Sequence, residues 1–332
     1  MTILTLVFSL FGLYFLAVTF WIVWSITRDP RKTLSISQNR LKGAGISFEE
    51  TRQTEKYTIR HTVEGGIERI HYTPKTQRHP IPILMGHGMW HGAWCWQTWQ
   101  EILAEAGWES LAFSLPGHGK SPTQRPIRSC TLDYYLSFYR DEVEMLQKSG
   151  PTPILMGHSM GGALSQWYLR YVSDELPAVV LVAPWVADSS MRDGTLGLIK
   201  MDPIGVLQMF YRLDASSWVR SPSHAAQKLT SPASLLSPEE LFSRLGPESA
   251  LVVMQHNPPL WRPKGDAKSP LLILAGEKDN VVSIDGLQRA AHIYKNSSFE
   301  LIHDAAHNLM MESNYRETAA KIDGWLSARI RS

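Results

Sequence analysis

The chain has 332 residues, of which 44% are hydrophobic and 19% charged, and its formal net charge is +2. This composition supports a packed core and excludes a largely disordered chain. A nearly neutral chain without clustered basic residues argues against a nucleic-acid partner. The only two cysteines, Cys95 and Cys130, are too few for a disulfide framework. No His/Cys cluster has the spacing of a structural zinc site, so we expect neither a metal nor a cofactor.

The first segment is uncharged and strongly apolar. Residues 3–26 contain no charged side chain, and about twenty helical residues are enough to cross the hydrocarbon core of a bilayer. A cleaved signal peptide fits less well, because the segment lacks a basic start and a small-residue cleavage site. A buried core helix is rarely apolar on every face. We therefore predict a transmembrane anchor over residues 1–27. Arg28, Arg31 and Lys32 follow it, which predicts that the rest of the chain lies on the cytoplasmic side.

The remaining chain divides into a linker and one folded domain. Residues 28–55 are polar and poorly periodic, which predicts a linker with a short helix. From residue 56 to residue 332, short apolar runs alternate with amphipathic segments. The predicted strands are Tyr57–His61, Glu68–Tyr72, Ile81–Met85, Ser110–Leu115, Ile154–Met156, Ala178–Val182, Leu271–Leu274 and Phe299–Ile302. The predicted helices are Trp94–Ala106, Leu132–Lys148, Gly161–Val172 and Tyr315–Ile330. This alternation predicts an α/β fold with a mainly parallel sheet flanked by helices.

The alternation stops between Pro184 and Pro270. This stretch is rich in Pro, Ser, Met and Trp, with helical patterns near residues 205–213 and 238–244. We predict a helical lid insertion over about residues 185–265. It would lie over the carboxyl edge of the sheet, where α/β folds bind ligands.

A G-x-S-x-G motif spans Gly157 to Gly161, directly after an apolar strand and directly before an amphipathic helix. Glycine at both ends permits a sharp strand-to-helix turn with close backbone approach. Ser159 would then stand at a helix N-terminus, where N–H groups and the helix dipole favour developing negative charge. The non-catalytic alternative is a glycine-rich turn in which the serine only caps the helix. The context predicts that Ser159 is a nucleophile.

A serine nucleophile needs a base, and an acid that orients the base. In the order Ser–acid–His, the loop after the last predicted strand supplies His307, with His303 as a less suitable rival at the strand end. The loop after the preceding strand supplies Asp279 as the acid. Glu277 and Asp188 are the alternative acids.

An oxyanion hole needs two backbone donors. We expect them to be the N–H of Met160, just after the nucleophile, and the N–H of Met89, in the loop after the Ile81–Met85 strand. His87 in that loop has a structural role in this interpretation. Large apolar residues near the site suggest a flexible apolar substrate pocket. Its expected members are Trp90, Trp185, Phe210 and Trp218.

These motifs resemble the α/β-hydrolase superfamily from about Tyr57 to the end of the chain. The run HGMWHGAWCW at residues 87–96 is similar to a branch containing plant methylesterases and hydroxynitrile lyases, and PGHGKS at residues 116–121 matches a superfamily loop. The lyases have Thr at the position of Gly88 and Lys at the position of Asn308, so both departures favour ester hydrolysis. An N-terminal anchor before such a domain resembles membrane-bound monoacylglycerol lipases.

Together these features predict a membrane-anchored serine hydrolase that forms an acyl-enzyme on Ser159. Its expected partners are a lipophilic small-molecule ester and, through the N-terminal helix, membrane lipid. An acyltransferase would use the same three residues and exclude water. A non-catalytic binding protein on this fold is the third class. Fold alone does not identify the substrate.

Overall fold

The computed structural model describes residues 3–186, 199–256 and 261–330, and within the N-terminal helix it describes the side chains of Ser9, residues 12–14 and residues 16–27. Within these residues, nine strands form one sheet in the order β1-β2-β3-β5-β4-β6-β7-β8-β9. The strands are β1 (Ile46–Gln53), β2 (Tyr57–Glu64), β3 (Ile67–Pro74), β4 (Ile83–Gly86), β5 (Ser110–Ser114), β6 (Ile154–His158), β7 (Val179–Val182), β8 (Leu271–Gly276) and β9 (Ser297–Ile302).

Helices flank this sheet, and further helices lie between β7 and β8. They are α1 (Ile3–Thr27), α2 (Pro30–Leu34), α3 (Gln97–Glu105), α4 (Leu132–Ser149), α5 (Met160–Tyr171), α6 (Pro203–Arg212), α7 (Pro222–Leu229), α8 (Pro238–Arg244), α9 (Ala250–Gln255), α10 (Ile284–Ile293) and α11 (Tyr315–Ser327). Helix α4 packs on α5, and α3 packs on α11. The predicted α/β fold with flanking helices is confirmed.

The centre of the sheet is parallel and buried. Strands β1, β2, β3 and β5 pair antiparallel, whereas β5, β4, β6, β7, β8 and β9 pair parallel. Every residue of β4, β6, β7 and β8 is buried, which explains their continuous apolar runs. Parallel pairing brings the carboxyl ends of these strands to one edge, and Gly86 lies beside Gly157 there.

Helix α1 requires a correction to the predicted transmembrane anchor over residues 1–27. In the part of the chain that the structure describes, no helix combines the length and apolar character that a membrane crossing requires. Instead, α1 packs on protein: the helix contacts α9, and Ser25 near its C-terminal end is only 4% exposed. The cytoplasmic orientation, which depended on the anchor, stays a prediction.

The segment predicted as a linker, residues 28–55, is partly structured. It contains α2 as its short helix, but it also contains β1, the first strand of the sheet. It is tied to the domain because the Arg28 guanidinium donates to the Asp133 carboxylate at 2.7 Å. Strand β1 was not predicted from the sequence. It lies at the sheet edge with nearly every residue exposed, so it has no alternation of apolar and polar residues.

Between β7 and β8, the described residues 199–256 contain helices α6, α7, α8 and α9. Helices α6, α7 and α8 each begin with a capping Asp or Ser followed by Pro, at Asp202, Ser221 and Ser237, a combination that satisfies the first backbone donors of a helix. The buried Lys228 ammonium donates to the Asp202 carboxylate at 3.0 Å. Burial opposes ionisation of Asp202, yet hydrogen bonds from Arg220, the backbone and Lys228 lower its pKa.

Candidate active site

The turn between β6 and α5 presents Ser159 in a strained conformation. Its φ is 50° and its ψ is −111°, a region that costs a non-glycine residue about 1–3 kcal/mol. The Ser159 N–H donates to the Val182 carbonyl at 3.0 Å, and the Trp185 N–H donates to the Ser159 carbonyl at 3.0 Å. Both bonds tie the turn to β7 and the loop that follows it, so the surrounding backbone maintains the strain.

The glycines of the motif allow close backbone approach. A Cβ on Gly157 would lie 2.3 Å from the Gly161 carbonyl oxygen, and a Cβ on Gly161 would lie 2.1 Å from the Gly86 carbonyl oxygen. Any side chain at these positions would push α5 away from β6 and β4. The motif is therefore a packing requirement as well as a turn signal.

His307 and Asp279 form a buried pair beside this turn. The His307 Nδ1 lies 2.8 Å from the Asp279 Oδ2, and the other carboxylate oxygen accepts the N–H groups of Val281 at 2.7 Å and Val282 at 3.0 Å. A carboxylate accepts, so Nδ1 carries the ring proton and Nε2 of a neutral ring is free to accept one. His158, the residue before Ser159, places its Nε2 3.1 Å from the His307 carbonyl oxygen, so His307 is held against the serine turn.

Glu277 and His303, the alternative acid and base that the structure describes, form a separate surface pair. Glu277 Oε1 lies 3.4 Å from His303 Nδ1, and their side chains are 44% and 75% exposed. The Asp304 N–H and the His303 side chain lower the pKa of Glu277, as expected for a carboxylate in a surface turn. Asp188 lies outside the described residues. Among the described alternatives, only Asp279 contacts His307.

The loop after β4 forms a tight turn over residues 88–91, which we call the oxyanion turn. The His91 N–H donates to the Gly88 carbonyl at 3.3 Å, and Trp90 has a φ of 64°, unusual for a bulky residue. His87 bonds backbone at both nitrogens: its Nδ1 lies 2.8 Å from the Gly88 oxygen, and its Nε2 accepts the Leu115 N–H at 3.0 Å. Burial places the pKa of His87 well below its ordinary value.

A narrow cavity of about 10 Å³ adjoins Ser159. Both expected oxyanion donors, Met89 and Met160, contribute to its wall, and its remaining lining is mostly apolar. The lining residues are Met89, Leu132, Ser159, Met160, Ala163, Trp185, Val252, Val253 and His256. The cavity therefore presents an apolar surface directly next to the serine.

Of the four expected pocket residues, only Trp185 is among those that line this cavity. Trp90 and Trp218 are buried and pack on each other, with ring centroids 5.9 Å apart. Phe210 is partly buried against the hydrophobic core. Three residues of the α9 region, Val252, Val253 and His256, occupy the wall instead, and their sequence context has no motif that identifies them.

His256 is the polar group in that wall that sequence reasoning missed. The Trp167 indole N–H donates to its Nδ1 at 2.8 Å, and its Nε2 lies 2.8 Å from the Trp185 carbonyl oxygen. Because a carbonyl only accepts, Nε2 carries the proton and the ring is neutral. Burial lowers the pKa of His256 to about 3. Both nitrogens are thus satisfied by the protein.

Comparison with known proteins identifies related chains. A family model described as the alpha/beta hydrolase family matches residues 83–321, more than half of the chain. Esterase PIR7B of Oryza sativa subsp. japonica is 31% identical over 101 residues, which cover 30% of this chain and 37% of the relative. Methylesterase 7 of Arabidopsis thaliana is 31% identical over 108 residues, which cover 32% and 41%. The chain thus matches less than half the length of these curated relatives.

Solved structures share the fold. The monoacylglycerol lipase of Paleococcus ferrophilus superposes with a TM-score of 0.59 at 20% identity, over 79% of this chain and 99% of that chain. A membrane phospholipase A superposes with a TM-score of 0.61 at 18% identity, over 98% of this chain and 99% of that chain. At these identities the similarity is one of architecture.

Proposed function

Because the chain belongs to the alpha/beta hydrolase family, we propose that it is an esterase/lipase-type hydrolase that cleaves carboxylic esters through an acyl-enzyme on Ser159. The observation that supports this most directly is the buried pair of His307 and Asp279, packed against the strained turn that presents the serine. A nucleophile beside a base that is oriented by a carboxylate is the arrangement that acyl transfer needs.

The proposed reaction has two stages. The Ser159 hydroxyl attacks the ester carbonyl while His307 Nε2 accepts its proton, then returns that proton to the leaving alcohol. Asp279 stabilises the imidazolium that forms between these events. The N–H groups of Met89 and Met160 donate to the oxyanion. Water activated by His307 then attacks the acyl-enzyme and releases the acid.

Ser159→Ala tests this mechanism. We expect the variant to lose hydrolysis of a chromogenic ester, and a fluorophosphonate probe to label the parent protein but not the variant. Hydrolysis at the parental rate by Ser159→Ala would disprove the proposal. Products measured with an added alcohol acceptor separate the two enzyme classes, because an acyltransferase would form more new ester than free acid.

For the substrate, we propose an ester with an apolar acyl chain of modest length. The wall next to Ser159 is mostly apolar, and the cavity volume of about 10 Å³ is far smaller than the roughly 300–1,000 Å³ of pockets that hold drug-sized ligands. Each methylene buried there contributes about 0.8 kcal/mol, which is about fourfold in kcat/KM. We therefore expect kcat/KM to rise from acetate to butyrate esters and to fall for palmitate.

A variant that narrows the cavity tests whether the cavity holds the acyl chain. Ala163 is buried and lines the cavity, so Ala163→Val should lower kcat/KM for octanoate more than for acetate. A preference for acetate in the parent protein, or an equal effect of the substitution on both esters, would contradict the assignment of this cavity to the acyl chain.

For the partner, we propose that α1 contacts membrane lipid through an exposed apolar face. Leu13, Leu16, Phe20 and Trp24 are 52–73% exposed, and a contiguous apolar surface of this kind marks an interaction site. Phe20→Ser combined with Trp24→Ser should reduce co-sedimentation with phospholipid vesicles. Leu235→Ser is the control, because Leu235 is also an exposed apolar residue (45%) but lies between α7 and α8, outside α1. Equal sedimentation of all three proteins would exclude this contact.

A further inference from the structure

The side chain of His91 is bonded back to the oxyanion turn from which it projects. His91 Nδ1 lies 2.7 Å from the Met89 carbonyl oxygen. A carbonyl only accepts, so Nδ1 carries the ring proton. Burial is the largest cause that lowers the pKa of His91, to about 4, which keeps the ring neutral at pH 7. Its Nε2 is therefore a hydrogen-bond acceptor.

That acceptor is used by Asn308, the residue after His307. The Asn308 side-chain amide donates to His91 Nε2 at 3.1 Å. Asn308 is fully buried, and its backbone N–H donates to the Leu229 carbonyl at 2.8 Å, which anchors it in the loop after β9. A continuous chain of hydrogen bonds thus runs from the His307 loop, through Asn308 and His91, to the Met89 carbonyl.

The oxyanion turn needs such an anchor because it is strained. A positive φ at the third residue of a four-residue turn, here 64° at Trp90, is typical of a type II turn, which favours glycine at that position. Rotation of the peptide between Met89 and Trp90 would relieve the strain by giving a type I turn. The bond from His91 to the Met89 carbonyl opposes that rotation, and the Gly246 N–H holds the Trp90 carbonyl at 2.7 Å.

We propose that His91 is a positioning residue and that Asn308 fixes the His91 ring. His91 holds the Met89–Trp90 peptide, and it acts through the Met89 Cα on the preceding peptide, which carries the Met89 N–H that would bind the oxyanion. This inference rests on the proposed function, since it assigns the Met89 N–H to the oxyanion. It also gives Asn308 a role of its own: the residue next to the base couples the base loop to the oxyanion turn.

Two substitutions separate the two bonds of the ring. In His91→Asn the amide nitrogen occupies the place of Nδ1 and can still donate to the Met89 carbonyl. In His91→Gln the amide oxygen can occupy the place of Nε2 and accept from Asn308, so that bond survives and the bond to Met89 is lost. We expect His91→Asn to keep kcat within about threefold, whereas His91→Gln lowers kcat about 10- to 100-fold, the scale of a misplaced or missing oxyanion donor.

The measurements are kcat and KM for a chromogenic butyrate ester and the rate of Ser159 labelling by a fluorophosphonate, whose reaction also develops charge on an oxygen. KM should change less than twofold in both variants, while the labelling rate falls with kcat. Asn308→Leu keeps the branched side-chain shape but leaves Nε2 unpaired, and it should lower kcat about threefold, because it removes the same bond that His91→Asn removes. This third variant also keeps the proposal testable if a His91 variant fails to fold.

Equal kcat for the Asn and Gln variants, or a loss confined to KM, would overturn the positioning role. A parental kcat in Asn308→Leu would overturn the part assigned to Asn308. Failure of the proposed function is visible separately, because Ser159→Ala would then retain hydrolysis whatever the His91 variants do.

Discussion

Asp279→Asn is the substitution that most sharply tests the candidate site. One oxygen of the Asp279 carboxylate accepts the Val281 and Val282 N–H groups, and an asparagine oxygen can keep both bonds. The other oxygen faces His307 Nδ1 at 2.8 Å, where an amide NH₂ would donate instead of accepting. His307 would then place its proton on Nε2, the atom that must accept the Ser159 proton. The fold should survive while the base is lost.

The expected loss is large because the change acts on the tautomer. The corresponding substitution in a serine protease lowers kcat about 10⁴-fold, equivalent to about 5.4 kcal/mol of transition-state stabilisation. We expect a loss of that order in kcat for a chromogenic ester, KM within threefold, and a melting temperature close to that of the parent. More than a tenth of the parental kcat would refute the assignment of Asp279.

Glu277→Gln is the matched control for this prediction. Glu277 lies two residues before Asp279 in the same loop, but its side chain is 44% exposed and faces His303. Its substitution should leave kcat within about twofold, since exposed ion pairs contribute little. If Glu277→Gln lost activity while Asp279→Asn kept it, the acid would be Glu277.

Three further predictions concern packing, charge and the cavity wall. Gly161→Ala places a Cβ 2.1 Å from a carbonyl oxygen of β4, whereas Gly324→Ala meets nothing within 4 Å. We expect Gly161→Ala to lower the free energy of unfolding by about 3 kcal/mol and Gly324→Ala to be neutral or stabilising. Equal urea midpoints for the two variants would contradict this. Asp202→Asn leaves the buried Lys228 without its anion and should cost roughly 3–5 kcal/mol at pH 7. Because the pKa of Asp202 is lowered in the fold, its contribution to stability is present above the unfolded pKa of about 3.9 and is lost as pH falls below that value. The difference in melting temperature between the parent protein and Asp202→Asn must therefore narrow in acid. A constant difference would be inconsistent with ionised Asp202. His256→Leu leaves two buried hydrogen-bonding groups unpaired, which should cost about 1–3 kcal/mol for each and change KM for butyrate; unchanged stability and KM would remove His256 from the wall.

Local patterns predicted the central sheet and the serine turn because both are encoded in short stretches of sequence. The apolar runs of β4, β6, β7 and β8 reflect burial on both faces. The glycines around Ser159 reflect contacts that no side chain can enter. His307 and Asp279 were predicted from their positions after β9 and β8, because parallel strands bring their carboxyl ends to the same edge.

Features that depend on distant contacts were not predictable in this way. The cavity wall formed by Val252 and His256 depends on how α9 packs, and no local pattern distinguishes these residues from ordinary helix positions. Strand β1 is exposed on both faces, so it lacks the apolar periodicity of a strand. In α1, uniform apolarity predicted a membrane span, whereas the contact of α1 with α9 and the burial of Ser25 arise from the tertiary fold.

Backbone strain connects these observations to the candidate site. Five described residues other than glycine have a positive φ, and three of them, Trp90, Ser159 and Ala183, follow β4, β6 and β7, three adjacent strands of the sheet. None of these three is a residue type that favours this conformation, so tertiary hydrogen bonds must maintain it. These bonds join Gly246 to Trp90, β7 to Ser159 and β8 to Ala183. Strain that is concentrated at one sheet edge, and that depends on neighbouring elements, is typical of functional sites. It follows that stability and activity should trade off at these residues, with relief of strain expected to favour the fold and to disorder the site.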